Sequence, residues 1–567
     1  MAHADISRFL FQPEKRYTSV RMQQGRVMLD SDWNEFERLD HELDRQTLID
    51  ILCAKGTAND GFRITQPQVV DTSADTPATY DFAIASGSFY LGGLRFEAAG
   101  SQSFLTQTDW LQLAENTPTA PVDLEGDSVR YDLVYLRGWE QCVSAVEDSE
   151  LLERALGGPD TSVRVRRMGR VEILPDVAAD TCAEAVARLT RQLTTDPSGE
   201  TGEIIHSLDE RTCELQSAAR LSVTFDLDGL AEDPCRPAVS GGYLGADNQT
   251  MRIQLTAPNR FVWSYNNAAP LYRVQVDVAD LTRVRFLTLP RDQEAQPLTN
   301  QTVEIIPWGA FLPNQEKVAE LQGQFFRVGT SYNPVDNSLT LAAPIDQAWL
   351  DWLADNSQYW SDRDPSERQQ YFYLRLWTGS GEADQPDIGF TPGTAVAIPG
   401  TGVTATFSNV GIARDFWVLA LRPNTPTEVV PWSLLESAPP AGPRQYFAPL
   451  ALLRWSLVNG ELQPSVQDCR ERFQPLCQVN GCCTVTVGDG RTSHGLFNSL
   501  EDAISFLPTD GGKICLLPGQ HQTNANLRNR RNIRITGCSV HTIVQPRADR
   551  VTDPIFQIAA SQNIQLD

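Results

Sequence analysis

The phrase Asn532-Ile533-Arg534-Ile535 recurs in form as Asn563-Ile564-Gln565-Leu566, 31 positions further on. Short β-prone runs returning at one fixed spacing, with Asn beside Ile each time, predict stacked rungs of a parallel β-helix. A rung must stack on another or be capped, because its unpaired backbone edge is an aggregation template. The chain is therefore expected to continue beyond Asp567. Upstream, Thr484-Val485-Thr486-Val487 runs into Gly488-Asp489-Gly490, and Leu500, Ala503, Ile504 and Leu507 follow at helical spacing. Asn498 with Glu501, or Ser499 with Asp502, supplies the cap of that helix.

From residue 61 to about 480 the pattern is mostly β. Runs such as Tyr90-Leu91-Gly92-Gly93-Leu94-Arg95-Phe96 and Tyr131-Asp132-Leu133-Val134-Tyr135-Leu136 are bounded by Gly, Asp, Ser and Pro. Helical exceptions are expected at 140–156, at 182–195, where strong helix formers cluster, and at 348–353. The stretch Asp233-Pro234-Cys235-Arg236-Pro237 reads as a linker. At 567 residues the chain exceeds what one core sustains. Four segments follow: 1–60, an N-terminal docking arm and helix; 61–232, a first β-rich domain with helical insertions; 233–480, a second β-rich region of one or two subdomains; and 481–567, the start of a parallel β-helix. The fold class is mainly β.

The first segment carries the most specific local signals. Arg16-Tyr17-Thr18-Ser19-Val20-Arg21-Met22 is β-prone, Gly25 breaks it, and Arg26-Val27-Met28-Leu29 resumes an extended run. A helix is predicted from Asp32, with Glu35 as capping-box partner and Trp33, Phe36, Leu39 and Leu43 on one apolar face.

A net charge of −25 argues against a nucleic-acid partner, because phosphate binding needs a basic stripe. No stretch approaches the ~18 apolar residues of a membrane span. The N-terminus lacks the basic and apolar regions of a signal peptide, so synthesis is expected in the cytoplasm. Eleven cysteines, an odd number, do not form a disulfide framework in a chain this long. The densest group, Cys469, Cys477, Cys482 and Cys483, lacks the paired spacing or histidines of a zinc site. Buried free thiols are the expected state, with a disulfide as the alternative in an oxidising compartment.

Several phrases resemble a known family. They include Tyr17 to Val20 with Gln23-Gln24-Gly25-Arg26-Val27, Leu29-Asp30-Ser31-Asp32-Trp33-Asn34-Glu35, Ala155-Leu156-Gly157-Gly158-Pro159-Asp160-Thr161, Phe261-Val262-Trp263-Ser264-Tyr265-Asn266-Asn267, Asp415-Phe416-Trp417 and Asp468-Cys469-Arg470. They resemble an uncharacterised N-terminal family that precedes right-handed β-helix segments and is encoded among contractile injection system and phage-tail-like genes. The run from Val487 to Pro518-Gly519 is similar to the start of pectate-lyase-like helices. This chain departs from the family pattern at Asn266, where Asp is usual, and at Arg414, where Gly is usual. The resemblance implies a right-handed β-helix, and placement in a baseplate or tail tip beside other baseplate and tail proteins of a sixfold-symmetric particle. It implies no catalytic mechanism.

The expected function is thus structural, with an interface at Tyr17, Gln23, Gln24, Arg26, Trp33, Phe36 and Leu39, and with no cofactor, metal or catalytic residues. Strand addition by the arm and burial of the helix's apolar face would form that interface. A target-surface glycan or membrane component is a further partner class, and the particle is either membrane-associated or released. The alternatives are a β-helix polysaccharide lyase or hydrolase, and a glycan-binding tail fibre or adhesin with Trp263, Trp377, Trp417 and Trp432 as a stacking platform. The Asp30, Asp32, Glu35 cluster reads as a helix start complementing the dipole rather than as a cation site. His494 is a solvated loop residue.

Overall fold

A computed structural model describes the chain except residues 1–2, 72–77, 110–117, 122–123, 197–201, 226–241, 357–370, 380–384, 474–482 and 509. The linker expected at 233–237, and Cys477 and Cys482, lie outside the described residues. The chain divides into two units, Met1–Phe473 and Gln474–Asp567. It is mainly β, with four α-helices among the described residues: α1 (Asp30–Leu52), α2 (Cys182–Thr194), α3 (Gln347–Asp355) and α4 (Leu500–Phe506). No described helix is long and apolar enough to cross a membrane.

The first unit is organised by an antiparallel sheet in the order Glu461–Asp468, Gln445–Val458, Val129–Val143, Arg164–Leu174. Its two central strands come from opposite ends of the unit. Pro449 cannot donate to a ladder, and the register shifts between Pro449 and Ala451. One face is covered by small sheets carrying Tyr80, Phe82, Phe89 and Phe96 onto Trp455 and Leu453. Gly138 lies under the Phe96 ring, where a Cβ would come within 2.4 Å of it. On another part of the sheet, α2 packs Ala185 and Leu189 on Leu133 and Leu452. The helix expected at 140–156 does not form. Residues 140–143 complete the Val129–Val143 strand, and only short 3₁₀ turns follow at Ser149–Leu151 and Arg154–Leu156.

The excursion between these strands builds two further cores. Gln249–Ala257, Arg260–Ser264, Ile388–Gly389 and Phe416–Leu421 form one sheet, which shares a core of Phe261, Phe407 and Trp417 with the Leu221–Phe225, Val403–Phe407 and Ala395–Ile398 strands. Six strands (Leu271–Asp277, Asp280–Phe286, Ser338–Leu341, Gln324–Asn333, Thr302–Ile306 and Phe372–Trp377) close into a barrel, which removes free edges. Trp352 of α3 stacks on Phe372 of that barrel, and Trp349 packs against the same ring at a tilt.

The second unit is built from parallel pairs. Val485–Val487, Gly512–Leu516, Arg531–Gly537 and Gln562–Leu566 form one ladder, Gly519–Gln522 with Thr542–Gln545 a second, and Ala525–Arg528 with Phe556–Ala559 a third. Ile533 faces Ile564 and Ile535 faces Leu566, so the 31-position recurrence is a strand register. Asn532 and Asn563 both sit at φ +54°, a left-handed corner that Asn tolerates, and Asn563 Nδ2 donates to Asn532 Oδ1 at 2.9 Å. That explains Asn beside Ile at each return. Leu500, Ala503 and Ile504 of α4, whose first turn Ser499 caps, pack on Ile514, Leu516, Ile533 and Ile535.

Candidate docking surface

Helix α1 is amphipathic in the reverse of the usual sense. At 3.6 residues per turn, Ser31, Arg38, Arg45 and Ile49 share one face, and Trp33, Phe36, Leu43 and Ile51 lie on the opposite one. The first face packs on the protein, with Ser31, Arg45 and Ile49 buried. The apolar face points to solvent: Trp33 is 62% exposed, Phe36 41%, Leu43 57% and Ile51 51%.

A polar seam holds the inner face. Arg45 donates to Glu42 at 2.7 Å and to the Gly92 carbonyl at 2.7 Å. Arg444 reaches Glu42 at 2.8 Å and Glu214 at 2.6 Å. Burial alone would raise the Glu42 carboxyl. The Arg45 hydrogen bonds and the Arg444 charge overcome it and hold the group at about 2. Higher on the same face, the Arg38 guanidinium lies 4.0 Å from the centre of the Phe9 ring.

The helix begins two residues earlier than expected. Its first residue is Asp30, and the Asp32 carboxylate accepts from the Leu29 N–H at 3.3 Å, so Asp32 is the inner partner of the cap and not its start. Asp30 accepts from the Ser7 N–H and hydroxyl at 2.8 and 2.6 Å. Burial opposes its ionisation, but these bonds prevail and lower its pKa. Both carboxylates are thereby committed to the helix start.

Residues 4–9 are not a free arm. Thr250 donates to the Ile6 carbonyl at 2.7 Å, Asn267 to Ala4 at 2.7 Å and Arg422 to Ser7 at 2.7 Å, while Ala4 and Ile6 are buried with Cys142. The segment that stands clear is 13–29. It turns at Gln23, whose carbonyl accepts from Arg26 N–H at 3.2 Å, and Gly25 sits there at φ +71°. The β-prone runs on either side form no ladder with another strand among the described residues.

Of the residues expected at an interface, Tyr17, Gln23, Gln24, Arg26, Trp33 and Phe36 are exposed on this segment and helix, and Leu39 is half-buried at the side of α1. Met22, Val27, Met28, Leu29 and Ile51 join the exposed apolar set. Their hydrophobicity was visible in the sequence. The inversion was not, because it depends on which face the polar seam engages.

The other candidate chemistries resolve as follows. Cys182 pairs with Cys469 and Cys483 with Cys515, with Cα separations of 5.6 and 5.5 Å, so Cys469 and Cys483 are not free thiols. The partners lie 287 and 32 residues apart, beyond what local cysteine spacing reveals. No group of three metal-ligating side chains occurs among the described residues. Trp263, Trp377 and Trp417 are core residues and Trp432 alone of the four is exposed, so they form no stacking platform. His494 is exposed in its loop. An open cleft of about 430 Å³ beside the C-terminal end of α1 is lined by Lys55, Arg211, Glu471 and Asp50, which pair with one another. Arg414 lies at φ +85° and Asn266 at φ +51°, so both departures from the family pattern fall on left-handed backbone.

Residues 2–229 match the model of a family of unknown function (DUF6519). That span contains α1, the clear segment before it and half of the organising sheet. No curated protein matches the chain. A solved structure described as "Crystal structure of TssK" aligns with 70% of this chain and 99% of its own at 10% identity, with a TM-score of 0.12, which shows no common fold.

Proposed function

We propose that this chain is a structural component of the baseplate or tail-tip region of a contractile injection system or phage-tail-like particle, and not a catalyst. The observation that carries the reading is the inverted helix. A helix that turns Trp33, Phe36 and Leu43 to water while placing Arg38, Glu42 and Arg45 inward leaves large apolar side chains exposed along one face, and exposed apolar surface of this kind marks interaction sites. The resemblance of the same segment to a family encoded beside contractile machinery supplies the kind of neighbour: other baseplate and tail proteins of a sixfold particle.

In this reading the chain is made in the cytoplasm, docks through residues 13–51 and is carried into the particle. The parallel ladders of the second unit are read as rungs of a right-handed β-helix. Aromatic residues in the exposed band supply the anchors, as large rigid side chains do at protein interfaces. The test is to purify contractile particles from the native cell with the protein present and with its gene deleted, and to image both. Density at the baseplate or tail tip that vanishes with the gene supports the reading. A protein that never co-purifies with particles overturns it.

A further inference from the structure

The docking face carries charge as well as apolar surface, and the two signs are segregated. The segment 13–29 holds Lys15, Arg16, Arg21 and Arg26 against Glu14, in a chain whose net charge is −25. All four cations are exposed. The outer face of α1 holds Glu37, Asp40 and Asp44, also exposed, among Trp33, Phe36 and Leu43, and no base lies on that face. These four cations and three carboxylates make no ion pair among the described residues, although they are close neighbours in sequence.

We infer that the partner of this face is a second copy of the same chain, related by a twofold axis, with the basic segment of each copy laid along the acidic helix of the other. The inference rests on the docking reading and names its first partner. A basic protein would complement α1 but repel the segment; an acidic one would do the reverse. A copy of the face presents both signs in the required arrangement. Twofold symmetry then makes each contact twice, because residue i meets j while j meets i. Tyr17, Met22, Val27 and Met28 of the segment would cover Trp33, Phe36 and Leu43 of the helix. The charges set register and exclude wrong partners, and the apolar contact holds the pair.

The test uses the full chain in sedimentation-velocity runs across concentrations, with circular dichroism to show that each variant is folded. The wild type is expected to sediment as a dimer. Trp33→Ser should weaken it about thirtyfold, the effect of losing a central aromatic anchor. Arg21→Glu with Arg26→Glu in one variant, and Asp40→Lys with Asp44→Lys in another, should each be monomeric alone. Mixed, they should form a heterodimer, since both contacts then join opposite charges. A wild type monomeric at all concentrations overturns the inference, as does a mixture that stays monomeric where the wild type dimerises. If the monomeric wild type still binds particles through α1, self-pairing falls and the docking reading stands.

Discussion

Replacing Glu42 by Gln should loosen α1 from the protein while leaving its outer face chemically unchanged. The carboxyl is held at about 2 against an ordinary 4.5, a difference of about 2.5 units. At about 1.36 kcal/mol per unit, the folded state gains about 3 kcal/mol from the ionised group. Because the folded value is depressed, that contribution is fully present above pH 4.5 and is lost as pH falls toward 2. Gln keeps the shape and some hydrogen bonding but leaves Arg45, 3% exposed, without its counter-charge. Hydrogen–deuterium exchange is the suitable assay, because it reports opening of α1 separately from the rest of the chain. At pH 7 the amides of residues 38–49 should exchange about a hundredfold faster in Glu42→Gln than in the wild type. After correction for intrinsic rates, the difference should shrink as pH falls from 4.5 toward 2. Equal protection at pH 7 would refute the claim that a polar seam holds this helix.

Three further perturbations probe other parts of the account. Asp415 is buried, and burial pushes its carboxyl up to about 7, so ionisation costs stability as pH rises from about 4 to 7. Asp415→Asn should therefore raise the melting temperature at pH 8, by a gain bounded at about 4 kcal/mol, and change it little at pH 4. Gly138→Ala places a methyl within 2.4 Å of the Phe96 ring and should destabilise the sheet by about 1–3 kcal/mol in urea melts. Cys515→Ser opens a 32-residue loop in the second unit, and the chain-entropy estimate is about 3–4 kcal/mol, measurable as faster proteolysis within 483–567.

What the sequence revealed divides by range. The return of Asn532-Ile533 as Asn563-Ile564 is local and periodic, so it read directly as a strand register. Helices α2 and α4 were legible from helix formers and apolar spacing, with Ser499 one of two caps read for α4, whereas the Thr181 and Asp346 caps of α2 and α3 came only with the structure. Pairing of Val129–Val143 with Gln445–Val458 was not legible, since no local pattern encodes a partner three hundred residues away. The same strand was misread beyond residue 139 because its end is buried on both faces, which erases the alternation that distinguishes a half-buried strand. The candidate surface was half legible. Tyr17, Trp33 and Phe36 stood out as apolar residues beside a turn, yet ordinary amphipathicity would place Trp33 and Phe36 inward. The Arg45–Glu42–Arg444 seam, with Arg38 over Phe9 and Ser7 bound to Asp30, turns them outward.

The most direct test of the docking claim is a surface variant, Trp33→Ser with Phe36→Ser and Leu43→Ser, in otherwise native cells. Substitution is preferable to removal of residues 1–60, because residues 4–9 are stitched into the body. All three side chains face solvent, so the fold should persist. The account predicts that contractile particles purified from these cells lack the variant while wild-type particles carry the protein. A folded variant that co-purifies undiminished would contradict it.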